Sequence, residues 1–282
     1  MEKENFRKIK KIIRGQSAID GAGVKLVRIF GNDDTKDFDP FLMLDAFDSR
    51  KYEDYIKGFP WHPHRGIETI TYLIEGVIEH GDSLGSHGTI ASGDCQWMTA
   101  GSGIIHQEMP QKSERLFGVQ LWLNLPAKSK MTPPQYRDIK AEKIPSILED
   151  GVTIKIVSGD YKQNVGAIVA DYAQVTYLDV EIESGKKWLF ESDSVNTLFV
   201  YVLQGAGRFE GNESDLVFEK HAVLFGDGER LNVQAAKSGL RFLLISGKPL
   251  KESIAWGGPI VMNTADELNR AFRELDEGTF IK

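Results

Sequence analysis

Two short stretches carry residue types that together could hold a metal. The first is Gly58-Phe-Pro-Trp-His62-Pro-His64-Arg-Gly66-Ile-Glu68, and the second is Gly103-Ile-Ile-His106-Gln-Glu108-Met-Pro110. In an extended strand alternate side chains share a face. His62, His64 and Glu68 would then point one way, as would His106 and Glu108. Two adjacent strands could gather His62, His64, His106 and Glu108 around one point. Three imidazoles and a carboxylate suit a first-row divalent ion such as Fe, Mn, Ni, Cu or Zn. They suit Ca and Mg poorly, since those ions prefer all-oxygen shells. Four protein ligands on an octahedral ion leave two positions for dioxygen or a chelating substrate, whereas zinc in a closed tetrahedral shell would be structural. His80, His87 and His221 lack partners at ligand spacing and read as loop or strand-surface residues.

The elements that must position these groups are strands. Glycine occurs 28 times, and between glycines lie short runs rich in Val, Ile, Thr and Tyr. Such runs are residues 24–30, 67–74, 103–109, 116–125, 152–157, 198–203 and 240–246. Runs of this length and spacing predict an all-β sandwich or barrel. One helix is expected at the C-terminal end. There Thr264-Ala-Asp-Glu267 forms a capping box, followed by Leu268, Phe272 and Leu275 at helical spacing.

The chain is 282 residues long, about two domains at roughly 150 residues each. Residues 124–145 hold four prolines and many lysines, and Pro133-Pro134 cannot sit in a central strand. The expected division is therefore an N-terminal metal-binding barrel over 1–132, a linker over 133–145 and a C-terminal barrel over 146–282 that ends in the helix. An internal repeat supports two copies of one barrel. Tyr72-Leu-Ile-Glu-Gly76 returns as Tyr201-Val-Leu-Gln-Gly205, and Gly93-Asp94 returns as Gly226-Asp227. The repeat maps His62 and His64 onto Glu191 and Asp193, and the third histidine onto 235–239. No transition-metal site is expected in the second copy.

Composition excludes several classes. Hydrophobic residues make up 41% and charged residues 27%, which is ordinary for a globular protein and unlike a disordered chain. No run approaches the ~18 apolar residues of a membrane helix. The start, MEKENFRKIKKIIRG, lacks the apolar core of a secretory signal. Its basic run from Arg7 to Arg14 reads as a solvated strand or helix face. A net charge of -7 argues against direct nucleic-acid binding. The single cysteine, Cys95, forbids an internal disulfide, so a cytoplasmic, reducing location is expected. Cys95 itself is expected to be buried and inert. Asn212-Glu-Ser fits a glycosylation sequon, without meaning outside the secretory route. Gly101-Ser-Gly103 is not a dinucleotide fingerprint, because a third glycine and a following helix are missing. Trp61, Trp97 and Trp122 could line a pocket for a planar ligand, or pack a core.

The histidine block resembles the cupin pattern HxH-x(3)-E with a later Gly-rich turn and third histidine. More closely it resembles the pirin family. The stretches FPWHPHRGIETITYLIEG, GDCQWMTAGSGIIHQEMP, GVQLWLNLP and GGPIVMNT carry the likeness across nearly the whole chain. The resemblance implies a bicupin, two tandem cupin (double-stranded β-helix, jelly-roll) barrels with a short C-terminal helix and one metal in the first barrel. It implies His62, His64, His106 and Glu108 as ligands, with Fe(2+) the usual ion. Glu68, the ligand in ordinary cupins, would then stand behind the ligands or serve as a base. The activity implied is a quercetin 2,3-dioxygenase type: a flavonol or similar enol loses its hydroxyl proton to Glu108 or Glu68, and dioxygen opens the ring with loss of carbon monoxide. The partners would be a small planar aromatic substrate and dioxygen, and the protein a monomer. The family also implies another role, a non-enzymatic, redox-responsive regulator that binds a protein partner through a metal-dependent surface.

Overall fold

A computed structural model describes residues 5–210 and 215–282; the Asn212 sequon lies outside them. Strands dominate the described residues, with one helix longer than a single turn, Ala265–Asp276. Each expected run falls in a strand: Val24–Phe30, Ile67–Glu75, Ile104–Pro110, Leu116–Asn124, Val152–Ser158, Thr197–Arg208 and Arg230–Gly247. The helix begins as its sequence dictates. The Glu267 amide donates to Thr264 Oγ1 at 3.2 Å, and Glu267 Oε2 accepts from the Thr264 amide at 3.0 Å. Leu268, Phe272 and Leu275 pack on Ile260, Met262 and Phe280.

The chain forms two compact units. One comprises residues 5–15, Asp37–Asp39 and Glu142–Pro249; the other comprises Gln16–Lys36, Pro40–Ala141 and Leu250–Lys282. This differs from three consecutive segments divided at 132 and 146, for three physical reasons. The strand Ile9–Arg14 pairs antiparallel with His221–Phe225, so the N-terminal strand completes the sheet of the later sequence. Within that unit Arg7 is buried, not on a solvated face, and its guanidinium donates to Ser192 Oγ and to the carbonyls of Asp193 and Gly226. Second, residues 133–145 are not only a linker. Gln135–Ile139 pairs with Cys95–Thr99 at the edge of a sheet. Pro133 and Pro134 fall just before it, where no ladder donor is needed. Third, residues 250–282 and their helix belong with the histidine-bearing unit, where Val261 and Trp256 join a cluster around Ile67, Met98, Ile104 and Trp122.

In the histidine-bearing unit a seven-stranded sheet runs in the order Gln135–Ile139, Cys95–Thr99, Ile67–Glu75, Leu116–Asn124, Phe41–Ser49, Val24–Phe30, Gln16–Asp20. A four-stranded sheet runs Phe59–His64, Ile104–Pro110, Val77–Asp82, His87–Ala91. Val24, Phe47, Leu73 and Leu116 of the first meet Ile78 and Ile90 of the second in one buried cluster. Alternation along each strand thus gives two sheets a shared apolar interior.

The other unit is built on a nine-stranded antiparallel sheet. Its interior is filled by large side chains, among them Trp188, Phe190, Phe209, Phe225 and Phe242.

Candidate metal centre

Phe59–His64 and Ile104–Pro110 are antiparallel neighbours, with His106 opposite His62 and Ile104 opposite His64. The histidine strand is the edge of its sheet. Only there can a strand carry prolines at 60 and 63 without losing ladder bonds. Alternation puts His62 and His64 on one face. Ring centroids lie 4.3 Å apart for His62 and His106, 4.8 Å for His62 and His64, and 5.1 Å for His64 and His106. One donor atom from each lies within 4.8 Å of the others.

The outward nitrogens settle the tautomers. His62 Nδ1 lies 2.9 Å from the Pro60 carbonyl oxygen, and His64 Nδ1 lies 3.0 Å from that of Pro259. A carbonyl only accepts, so in each ring Nδ1 carries a proton, and in a neutral ring Nε2 then presents a lone pair. The two Nε2 atoms nevertheless face each other at 3.1 Å. In the neutral rings two acceptors then confront each other with no proton between them, a repulsion that a bound cation relieves. His106 Nδ1 meets Tyr136 Oη at 2.6 Å, and its buried Nε2 has no hydrogen-bond partner. Burial, reinforced by the charge of His62, pushes His64 down to about 3. Burial likewise holds His106 well below the usual imidazole range. Both rings stay neutral, as metal ligands must be. The donor set therefore fits a transition-metal ion.

Glu108 is buried beside this group but is not one of the donors gathered within 4.8 Å. Its carboxylate accepts from Gln120 Nε2 at 2.9 and 3.0 Å and from Thr71 Oγ1 at 3.3 Å. The strand register shifts between His106 and Glu108, where Glu108 comes opposite Phe59. Such a bulge re-aims side chains. Glu68 does not share the histidine face. Gly66, at φ 77°, turns the chain after His64, and Glu68 stands on the next strand, in the other sheet. The alternation is reset there, and Glu68 Oε1 accepts from Thr99 Oγ1 at 2.6 Å.

Other residues enter the site that spacing did not reveal. His80 is buried, not at a loop or strand surface. Its Nε2 lies 2.8 Å from Asp138 Oδ2, and its ring stacks on Tyr136. Burial, then the negative charges of Glu108, Asp82 and Asp138, pushes the Tyr136 phenol far up, so it remains protonated. Trp256 and Pro259 arrive from the C-terminal segment. Pro259 lies in the GGPIVMNT stretch that carries the family resemblance, whereas Trp256 has no signal beyond its aromatic character. Cys95 is fully buried with its thiol pushed up by burial, which matches an inert core residue.

A cavity of 670 Å³ opens onto His62 and His64, with Trp61, Trp122, Trp256 and Gln120 among its walls. Trp122 and Trp256 stack at 6.0 Å, and Trp122 meets the His64 ring edge-on at 4.9 Å. Trp97 instead packs wholly inside the protein.

Family models match in two places: the pirin model over residues 23–123 and the pirin C-terminal cupin domain over residues 177–281. The chain belongs to the pirin family. Its fold is accordingly two cupin domains, all-β, with a short C-terminal helix. It is 41% identical to a pirin-like protein of Caulobacter vibrioides, over 97% of this chain and 99% of that one. It is 36% identical to human pirin, over 96% and 94% of the two chains. A quercetin 2,3-dioxygenase from Acinetobacter baumannii, solved at 1.88 Å, is 32% identical with a TM-score of 0.89, covering 98% of both chains.

In this chain the second unit replaces the histidines. Lys187–Glu191 pairs with the first part of Arg230–Gly247, and Glu191 stands opposite Arg230 as His62 stands opposite His106. Strand pairing thus places the third position at Arg230, not within 235–239. The cause is a missing loop: one 18-residue strand does the work of two in the other unit. Arg230 Nε and Glu191 Oε1 form an ion pair at 3.1 Å.

Proposed function

We propose that this protein is a mononuclear metal protein with quercetin 2,3-dioxygenase-type activity on a flavonol or similar planar enol. The observation that carries the reading is the set of three converging imidazoles, two with Nδ1 turned to carbonyls, of which His62 and His64 open onto an aromatic-walled cavity. One divalent transition-metal ion, Fe(2+) first with Mn, Ni, Cu or Zn as alternatives, would supply Lewis acidity toward an enol oxygen and, where the ion is redox-active, a redox partner for dioxygen. His62, His64 and His106 would hold it, with Glu108 as the fourth ligand.

The chain's own residues do the rest. Trp122 and Trp256 offer flat apolar walls that orient a planar ring system over the histidines and keep water from it. Glu108 would receive the enol proton, and Gln120 and Thr71 hold it in one orientation. Glu68, held by Thr99, supports the strand behind the site. Among the described residues no helix is long and apolar enough to cross a membrane. A cytoplasmic, monomeric protein agrees with the single buried cysteine and the two barrels.

The test is quercetin turnover. Protein purified without a histidine tag is analysed for metal, loaded with Fe(2+), and given quercetin in air. Loss of the flavonol's visible absorbance with release of carbon monoxide, abolished by His106→Ala, is expected. Metal-replete protein that turns over quercetin no faster than free iron would refute the reading.

A further inference from the structure

Behind His106 stands a second layer built as carefully as the metal site itself. Tyr136 and Asp138 alternate along Gln135–Ile139 and so share a face. Tyr136 Oη lies 2.6 Å from His106 Nδ1. The Tyr136 ring lies flat on His80, with centroids 5.3 Å apart and planes 8° from parallel. His80 in turn is anchored through Nε2 to Asp138 Oδ2 at 2.8 Å, and Asp138 Oδ1 accepts from Gln96 Nε2 at 3.1 Å. Space has been kept for this bond. A side chain at Gly88 would put its Cβ 2.6 Å from His80 Nε2 and 2.7 Å from Asp138 Oδ2.

We propose that Tyr136, clamped by the His80–Asp138 pair, is a positioning residue for His106 and sets how tightly the unit holds its metal. The proposal rests on the metal reading above. His106 can offer Nε2 as a neutral ligand only if Nδ1 carries the proton, and the phenol oxygen is the acceptor for that proton. Unlike the carbonyls behind His62 and His64, a phenol can also donate, and the wrong tautomer would close Nε2. The stack fixes the plane of the phenol, and thereby the direction from which Nδ1 is met. Tyr136 and His80 meet face to face with no hydrogen bond between them, so the layer orients and does not relay protons. Groups behind a metal-bound histidine typically alter metal affinity by about 10- to 100-fold.

The experiment measures Ni(II) affinity by competition with a coloured chelator, and the visible spectrum of the Co(II)-loaded protein. Both are compared for wild type, Tyr136→Phe, Asp138→Ala and the double variant. Tyr136→Phe should bind Ni(II) about 10-fold more weakly and shift the Co(II) bands. Asp138→Ala should weaken binding by a smaller factor. The double variant should bind no more weakly than Tyr136→Phe alone, because Asp138 acts through the phenol. The thermal midpoint of each metal-free variant serves as the control for folding. Wild-type affinity and spectrum in Tyr136→Phe, or losses that add in the double variant, would overturn the proposal. A wild-type chain that binds no Ni(II) would overturn the metal reading itself, and the proposal with it.

Discussion

His64 Nδ1 donates to the carbonyl oxygen of Pro259 at 3.0 Å, across 195 residues of chain. The next residue is tied to the same segment. Arg65 is buried, donates to Glu274 Oε2 and to the Phe280 carbonyl at 2.8 Å each, and lies 4.1 Å above the Phe280 ring. The C-terminal segment therefore finishes the metal site from outside, by holding the inner end of the histidine strand.

Arg65→Met should accordingly destabilise the protein and loosen its metal. Removing one partner of a buried ion pair costs on the order of 3–5 kcal/mol. Glu274 retains Arg270 and Lys282, so a loss of about 3 kcal/mol in denaturant unfolding is expected. An unchanged unfolding midpoint would show that the clasp carries no load.

Glu274 makes the clasp pH-dependent. Burial raises its carboxyl, but hydrogen bonds from Lys282, Arg65 and Arg270 outweigh that and pull it from 4.5 to about 2. A depressed carboxyl contributes stability that is complete above its unfolded value and disappears as pH falls through the folded one. Wild type should exceed Glu274→Gln in stability at pH 6, and the gap should narrow steadily below about pH 4.5. Urea titrations across that range measure it, and a gap constant with pH would contradict the assignment.

Local pattern carried the strands and part of the site. The period-two spacing of His62 and His64 and the run through His106 are properties of single strands, and they survive into the fold. Glu68 leaves the histidine face because of one residue, Gly66, whose φ of 77° turns the chain between the sheets. Tyr136 and Asp138 also alternate visibly, but Pro133-Pro134 and the surrounding lysines masked an edge strand as linker. Trp256, Pro259 and Glu274 reach the site through contacts spanning well over a hundred residues. No local periodicity encodes such contacts.

The two carboxylates can be told apart by metal content. Glu108→Ala should lower metal retained after dialysis by about 10-fold or more, because it removes the proposed fourth ligand and frees Gln120. Glu68→Gln keeps an acceptor for Thr99 and should retain metal at the wild-type level. Elemental analysis decides between them, and the opposite pattern would exchange their roles.

Trp256 provides a test of the cavity separate from the metal. It stacks on Trp122, while the ring that meets His64 is Trp122 itself. Trp256→Ala should therefore leave metal content unchanged while it removes one flat wall. An aromatic pair is worth about 0.5–1.5 kcal/mol beyond its buried area, so quercetin affinity measured without oxygen should fall by about 10-fold. Trp61, at 54% exposure, has less wall to lose, and Trp61→Ala should weaken binding by a smaller factor. If Trp61→Ala proves the more damaging change, the planar ligand lies at the mouth of the cavity, away from the histidines, and a reaction at the metal would require it to move inward first.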